Sequence, residues 1–156
     1  SGPSGGACRQ TSSLTGTRLT SVAKAFVDTN VLIYLMSGDT TKADLAEAVV
    51  RAGAVVSVQV LNEIANVARR KLRMDWPETN EFLALVRSLC PPESLTTETH
   101  DRGRLVAERY GLSVYDAMIV ASALLAGCER LYSEDMQDGL VVDGQLQICN
   151  PFSGAG

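Results

Sequence analysis

The chain has 156 residues, 46% of them apolar and 21% charged, with a formal net charge of −4. That length suits one domain with a proper hydrophobic core and is too short for two comfortable ones. No run of about 18 apolar residues occurs, which counts against a membrane span, and the N-terminus lacks the apolar stretch of a secretory signal.

In chain order, residues 1–23 are rich in Gly, Ser and Thr, show no hydrophobic period, and read as a flexible arm. The domain spans 24–152, with 153–156 as a short tail. Ala25 to Asp28 reads as a buried strand, and a helix is expected from Val31 to Met36. Ser37-Gly38-Asp39-Thr40 breaks it. A second helix follows from Thr41 to Ala52, with Gly53 suited to close it.

Ala54 to Val58 is an uninterrupted, valine-rich run, the mark of a strand covered on both faces. A long helix is expected from Gln59 to Arg73, and another from Trp76 to Leu89, stopped by Pro91-Pro92. Leu95 to Thr97 reads as a weak strand, Asp101 to Tyr110 as a helix, and Val114 to Ala126 as a strongly apolar helix. Glu129 to Ser133 is a further strand. Leu140 to Val142 and Gln145 to Ile148 form a hairpin about Asp143-Gly144, a favoured two-residue turn. Strands alternating with helices predict a three-layer α/β/α domain around a mostly parallel sheet. Ligands in such domains gather beyond the carboxyl ends of the strands.

The charge is uneven. Before Asp28 there are Arg9, Arg18 and Lys24 and no acid; the remaining residues carry 11 basic and 18 acidic side chains. An acidic domain is a poor passive binder of nucleic acid, so an RNA partner requires bound metal and local basic patches. The four cysteines (Cys8, Cys90, Cys128, Cys149) show no C-x-x-C spacing and read as isolated thiols of a reducing cytoplasm. His100 is the only histidine, which counts against zinc sites and against Ser-His or Cys-His catalysis.

Four carboxylates stand at predicted strand ends or helix starts: Asp28, Glu63, Asp116 and Asp135. Carboxylates massed at strand ends repel one another, and a hard divalent cation relieves that repulsion. Each also has an ordinary explanation. Asp28 suits the N-cap of the first helix, as Thr29 and Asn30 do. Glu63 lies too deep for a capping box with Ser57 and stands at the margin of the apolar stripe formed by Val60, Ile64 and Val67. Ser113-Val114-Tyr115-Asp116 matches the capping-box pattern. Asp135 sits in a polar turn, in which Asp138 precedes Gly139 as a turn residue, and Asp143 belongs to the hairpin turn.

Taken together, Asp28-Thr29-Asn30-Val31-Leu32, Gln59-Val60-Leu61-Asn62-Glu63, Tyr115-Asp116-Ala117 and Ser133-Glu134-Asp135 resemble the signature of PIN-domain ribonucleases. The VapC toxins of bacterial toxin–antitoxin pairs look most similar. The resemblance extends to Arg70-Lys71, to Arg109-Tyr110-Gly111-Leu112-Ser113 and to the closing Gln147 to Phe152, and covers about residues 25–152. Ser133 stands where threonine is common and keeps the hydroxyl. The resemblance implies an endoribonuclease in which Asp28, Glu63, Asp116 and Asp135 bind one or two Mg²⁺ or Mn²⁺ ions that activate a water. It further implies products with 5′-phosphate and 3′-hydroxyl ends, a homodimer, and inhibition by a cognate antitoxin. Asn30 and Ser133 are expected to orient a carboxylate or water. Arg69, Arg70, Lys71 and Arg73 are candidates for phosphate contact, although a solvated helix end explains them equally well.

Two rivals remain. An aspartate-dependent phosphotransfer domain would use Asp28 as nucleophile, but Asn30 stands where one such class needs a second aspartate, and the early acidic pair of the other is missing. The second rival is a non-catalytic PIN fold that binds RNA or protein.

Overall fold

The computed structural model describes residues 24–154. In chain order these form β1 (Ala25–Val27), α1 (Thr29–Leu32) running on as a 3-10 turn (Ile33–Met36), α2 (Thr40–Arg51), β2 (Ala54–Ser57) and α3 (Val58–Arg70). Next come α4 (Trp76–Leu89), β3 (Pro92–Glu93), α5 (Thr97–Tyr110), α6 (Val114–Leu125), β4 (Arg130–Tyr132), β5 (Val141–Val142) and β6 (Leu146–Cys149). The expected arm lies outside the described residues.

The strands make one sheet in the order β3-β2-β1-β4-β6-β5, parallel except for the antiparallel β5–β6 pair. Every residue of β1 and β2 is buried. A parallel strand with helices packed over both faces gives that unbroken apolar pattern rather than alternation. Phe26, fully buried, sits in register between Val55 and Leu131 and anchors the core.

The connectivity creates the crevice. From β1 the chain moves outward to β2 and β3, then returns through α5 and α6 to place β4 on the other side of β1. The strand order therefore reverses between β1 and β4, and their carboxyl ends open side by side, where α/β sheets bind ligands. Asp28 directly follows β1, and Ser133 directly follows β4.

Local chemistry fixes the helices that frame this crevice. Asp39 caps α2 by accepting from Lys42 N–H. Asp75 and Glu78 close a reciprocal capping box on α4, with Pro77 in its first turn. α6 buries every residue from Ala117 to Leu124, and α5 packs tightly on it: a Cβ added at Gly103 would lie 2.5 Å from Met118 Sδ. The β5–β6 turn has left-handed backbone at both Asp143 (φ 52) and Gly144 (φ 66), as the Asp-Gly reading anticipates.

Some boundaries differ from expectation. The strand at Leu95 to Thr97 does not form. The third strand is Pro92–Glu93, a two-residue edge where a proline's missing N–H costs nothing. Thr96 instead caps α5 in a box with Thr99, so that helix starts at Thr97 rather than Asp101. α1 starts at Thr29, because Asp28 is its cap. α3 ends at Arg70, and Arg73 beyond it takes left-handed backbone (φ 54). Cys90 and Cys128 are free and buried, whereas Cys149 is disulfide-bonded, which corrects its reading as an isolated thiol. Among the described residues no helix is long and apolar enough to cross a membrane.

Candidate active site

Asp28 is buried, at 3% exposure, directly past the end of β1, and its backbone N–H bonds to Tyr132 O of β4 at 2.9 Å. Both carboxylate oxygens are engaged. Oδ1 accepts from Thr29 N–H at 2.7 Å, and Oδ2 accepts from the Ser133 hydroxyl at 2.8 Å and from Asn30 Nδ2 at 3.3 Å. Asn30 continues the network, accepting from Glu134 N–H at 2.9 Å, while its Nδ2 also lies 3.4 Å from Ser133 Oγ. The capping interpretation of Asp28 is thus correct but covers only one of its two oxygens.

Glu63 lies on α3, half-buried. Its Oε1 accepts from the Thr29 hydroxyl at 2.8 Å and its Oε2 from Gln59 Nε2 at 2.8 Å. Asp116 is in the first turn of α6, where its N–H donates to the capping Ser113 hydroxyl. Asp135 is exposed in the turn after β4. All four acids line one cleft of about 490 Å³, together with the apolar Ile33, Val67 and Leu72.

The cleft is electrostatically unbalanced. None of these four carboxylates has an ion-pair partner among the described residues. Burial pushes the Asp28 carboxyl up to about 7; bonds from Ser133 and Thr29 oppose this, and the charges of Glu63 and Asp116 add to it. Asp116 is likewise held above the ordinary carboxylate range, first by burial and then by Glu63 and Asp135, with a hydrogen bond from Ser113 pulling the other way. A fifth acid on the wall, Glu134, behaves differently. Lys42 Nζ meets its Oε2 at 2.8 Å and the Tyr34 hydroxyl donates to its Oε1 at 2.8 Å, which lower its pKa against the effect of burial.

The donor set fits a hard divalent cation: carboxylate oxygens, with no sulfur or imidazole among the residues that line the cleft. The unrelieved acid repulsion points the same way. Among the described residues no three such side chains already converge as a closed cage. Mg²⁺ keeps several of its waters, and a cleft of this size leaves space for them.

Of the four cations proposed to meet phosphate, Lys71 alone lines the cleft. Arg69 donates to Met74 O at 2.7 Å and lies 4.8 Å from the Trp76 ring, so it ties the end of α3 to α4. Arg70 and Arg73 are exposed and do not line the cleft. Asp138 is also outside it, accepting from Asn150 N–H at 2.8 Å. Asp143 belongs to the hairpin turn, held by Arg102 and Tyr110. Sequence reasoning did not assign site roles to Thr29, Gln59, Tyr34, Lys42 or Glu134. Gln59 carried a spacing signal, standing four residues before Glu63 on the same helix, and Thr29 and Glu134 lie beside the acids in the signature segments.

A family model described as the PIN domain matches residues 25–137. No match is found among curated proteins. Solved structures share the fold. A toxin–antitoxin complex from Klebsiella pneumoniae is 22% identical, with a TM-score of 0.63 over 81% of this chain and 97% of that one. FitAcB from Neisseria gonorrhoeae is 16% identical, with a TM-score of 0.59 over 82% and 98%. The sarcin–ricin-loop-cleaving toxin VapC20 of Mycobacterium tuberculosis is 17% identical, with a TM-score of 0.57 over 69% and 86%.

Proposed function

This chain belongs to the PIN domain family, and on that premise we propose that it is a metal-dependent endoribonuclease, the toxin of a toxin–antitoxin pair. The observation that carries the reading is that Asp28, Glu63, Asp116 and Asp135 line one cleft, none of them ion-paired among the described residues. The toxin assignment is supported by the toxin–antitoxin complex and the sarcin–ricin-loop-cleaving toxin among the structural neighbours. It brings with it a cognate antitoxin, a homodimer and a cytoplasmic setting as further parts of the proposal.

Asp28, Glu63, Asp116 and Asp135 would hold Mg²⁺ or Mn²⁺, which supplies Lewis acidity and lowers the pKa of water for attack on a phosphodiester. The chain's own residues prepare that chemistry. Ser133, Asn30 and the Thr29 N–H fix the orientation of Asp28. Lys71, which lines the cleft, is the candidate for contact with an incoming phosphate and gives the acidic domain a local positive charge. The products carry 5′-phosphate and 3′-hydroxyl ends, and the RNA 2′-hydroxyl takes no part as nucleophile.

The test is incubation of total RNA with the protein in Mg²⁺, Mn²⁺ or EDTA, comparing wild type with Asp116→Asn. Metal-dependent cleavage abolished by the substitution is expected. Equal cleavage by both proteins, or none by wild type with either metal, would overturn the reading.

A further inference from the structure

Glu63 is gripped at both oxygens by neutral side-chain donors from two separate elements, where Glu134 on the same cleft wall is held by a neutral hydroxyl and a lysine. Thr29 Oγ1 reaches Oε1 at 2.8 Å from α1, across 34 residues of sequence, and Gln59 Nε2 reaches Oε2 at 2.8 Å from one turn earlier on α3. Thr29 is only 6% exposed, and its backbone N–H is already committed to Asp28 Oδ1. One residue therefore ties together two acids that belong to different strand–helix units.

Resting on the nuclease reading above, we infer that Thr29 and Gln59 are positioning residues that hold the Glu63 carboxylate in place for a divalent cation. A glutamate has three rotatable bonds, and the negative charges of Asp28 and Asp116 act on it. Left unrestrained, it would swing toward solvent. Two neutral donors, one at each oxygen, hold it at the cleft without cancelling its charge, and each oxygen keeps a second lone pair for metal or water. A lysine or arginine in either place would fix the carboxylate equally well but neutralise it, as Lys42 does for Glu134. The cleft thus handles its acids in two ways: the acid on the wall is paired with a cation, and the acid of the proposed metal set is held by neutral groups.

A purely structural role is the competing account, because Gln59 and Glu63 form an ordinary i, i+4 helix pair and Thr29 opens a helix. Mn²⁺ affinity separates the two. It is measured on the full chain by isothermal titration calorimetry, with RNA cleavage and the thermal midpoint followed in parallel. Thr29→Val and Gln59→Leu remove a donor with little change in shape. Each is expected to weaken Mn²⁺ binding about 10–100-fold, the usual range for groups that orient a metal ligand. Thr29→Ser, which keeps the hydroxyl, should restore affinity to near wild type. Wild-type Mn²⁺ affinity in both Thr29→Val and Gln59→Leu, whatever happens to their thermal midpoints, would overturn the inference and leave the nuclease reading standing. Absence of both Mn²⁺ binding and cleavage in wild type would overturn the two together.

Discussion

The Ser133 hydroxyl donates to Asp28 Oδ2 at 2.8 Å across 105 residues of chain, joining the carboxyl ends of β4 and β1 at the point where the strand order reverses. Neither group is open to solvent, with Ser133 fully buried and Asp28 nearly so. Their bond opposes the upward push that burial gives the Asp28 carboxyl.

The metal-free protein should gain stability when Asp28 loses its charge. The folded-state pKa of Asp28 is raised to about 7 from an ordinary 3.8, chiefly by burial. The folded protein therefore binds this proton more tightly than the unfolded chain, and between those two values stability falls as pH rises. Asp28→Asn keeps the shape, and at pH 8 without metal it should stabilise the fold by on the order of 1–4 kcal/mol. The gain should vanish near pH 4. Chemical denaturation at the two pH values checks this, and a variant less stable than wild type at pH 8 would contradict it. Divalent metal should reverse the order by stabilising wild type alone.

Gly103→Ala should damage the site from a distance. The added Cβ would meet Met118 Sδ at 2.5 Å and Cε at 2.8 Å, so Met118 must move or α5 and α6 must separate. Overpacking costs about 1–3 kcal/mol, with the low end expected here because the atoms met are the end of a flexible side chain, and alanine's ~1 kcal/mol helix advantage over glycine offsets part of it. Met118 is two residues from Asp116 on the same helix, so any retreat of α6 displaces that carboxylate. The expected result is a lower denaturation midpoint with reduced cleavage; unchanged stability and activity would show that Met118 adapts freely.

Lys42→Met should loosen the loop that carries Asp135. Lys42 bonds Glu134 and Tyr34 and sits 4.7 Å from the Tyr34 ring and 5.3 Å from the Phe152 ring, linking α2 to the segment after β4. Because the pKa of Glu134 is lowered in the folded state, its contribution is present at neutral pH and lost as pH falls through the folded value. The variant should therefore melt earlier than wild type at pH 7, with the gap closing in acid, and Lys42→Arg should recover most of the loss. Identical melting curves at pH 7 would count against a linking role.

Much of this arrangement was readable in advance because it depends on local patterns. The apolar runs at Ala25 and Ala54 read as covered strands, and acids that follow such strands fall at the crevice of a parallel sheet. The β3–α5 segment was harder. Pro91-Pro92 read as a terminator although an edge strand tolerates proline, and Leu95 with the threonines after it read as a strand until the Thr96–Thr99 capping box claimed them. The grip of Thr29 on Glu63 had no sequence signal. A hydroxyl reaching a carboxylate 34 residues away is set by how α1 and α3 pack, and spacing along the chain does not encode that. The same holds for Arg69, whose place in a basic run gave no sign of its stacking on Trp76.

The outermost strands, β3 and β5, have two residues each, and β3 begins with a proline that has no N–H to give. So short a rail offers an incoming strand almost nothing to zip against. Among the described residues the sheet is a closed account, and it resists edge-to-edge aggregation by brevity. Any second copy or inhibitor that docks on them has to recognise helix surfaces and side chains, where specificity can be tuned residue by residue.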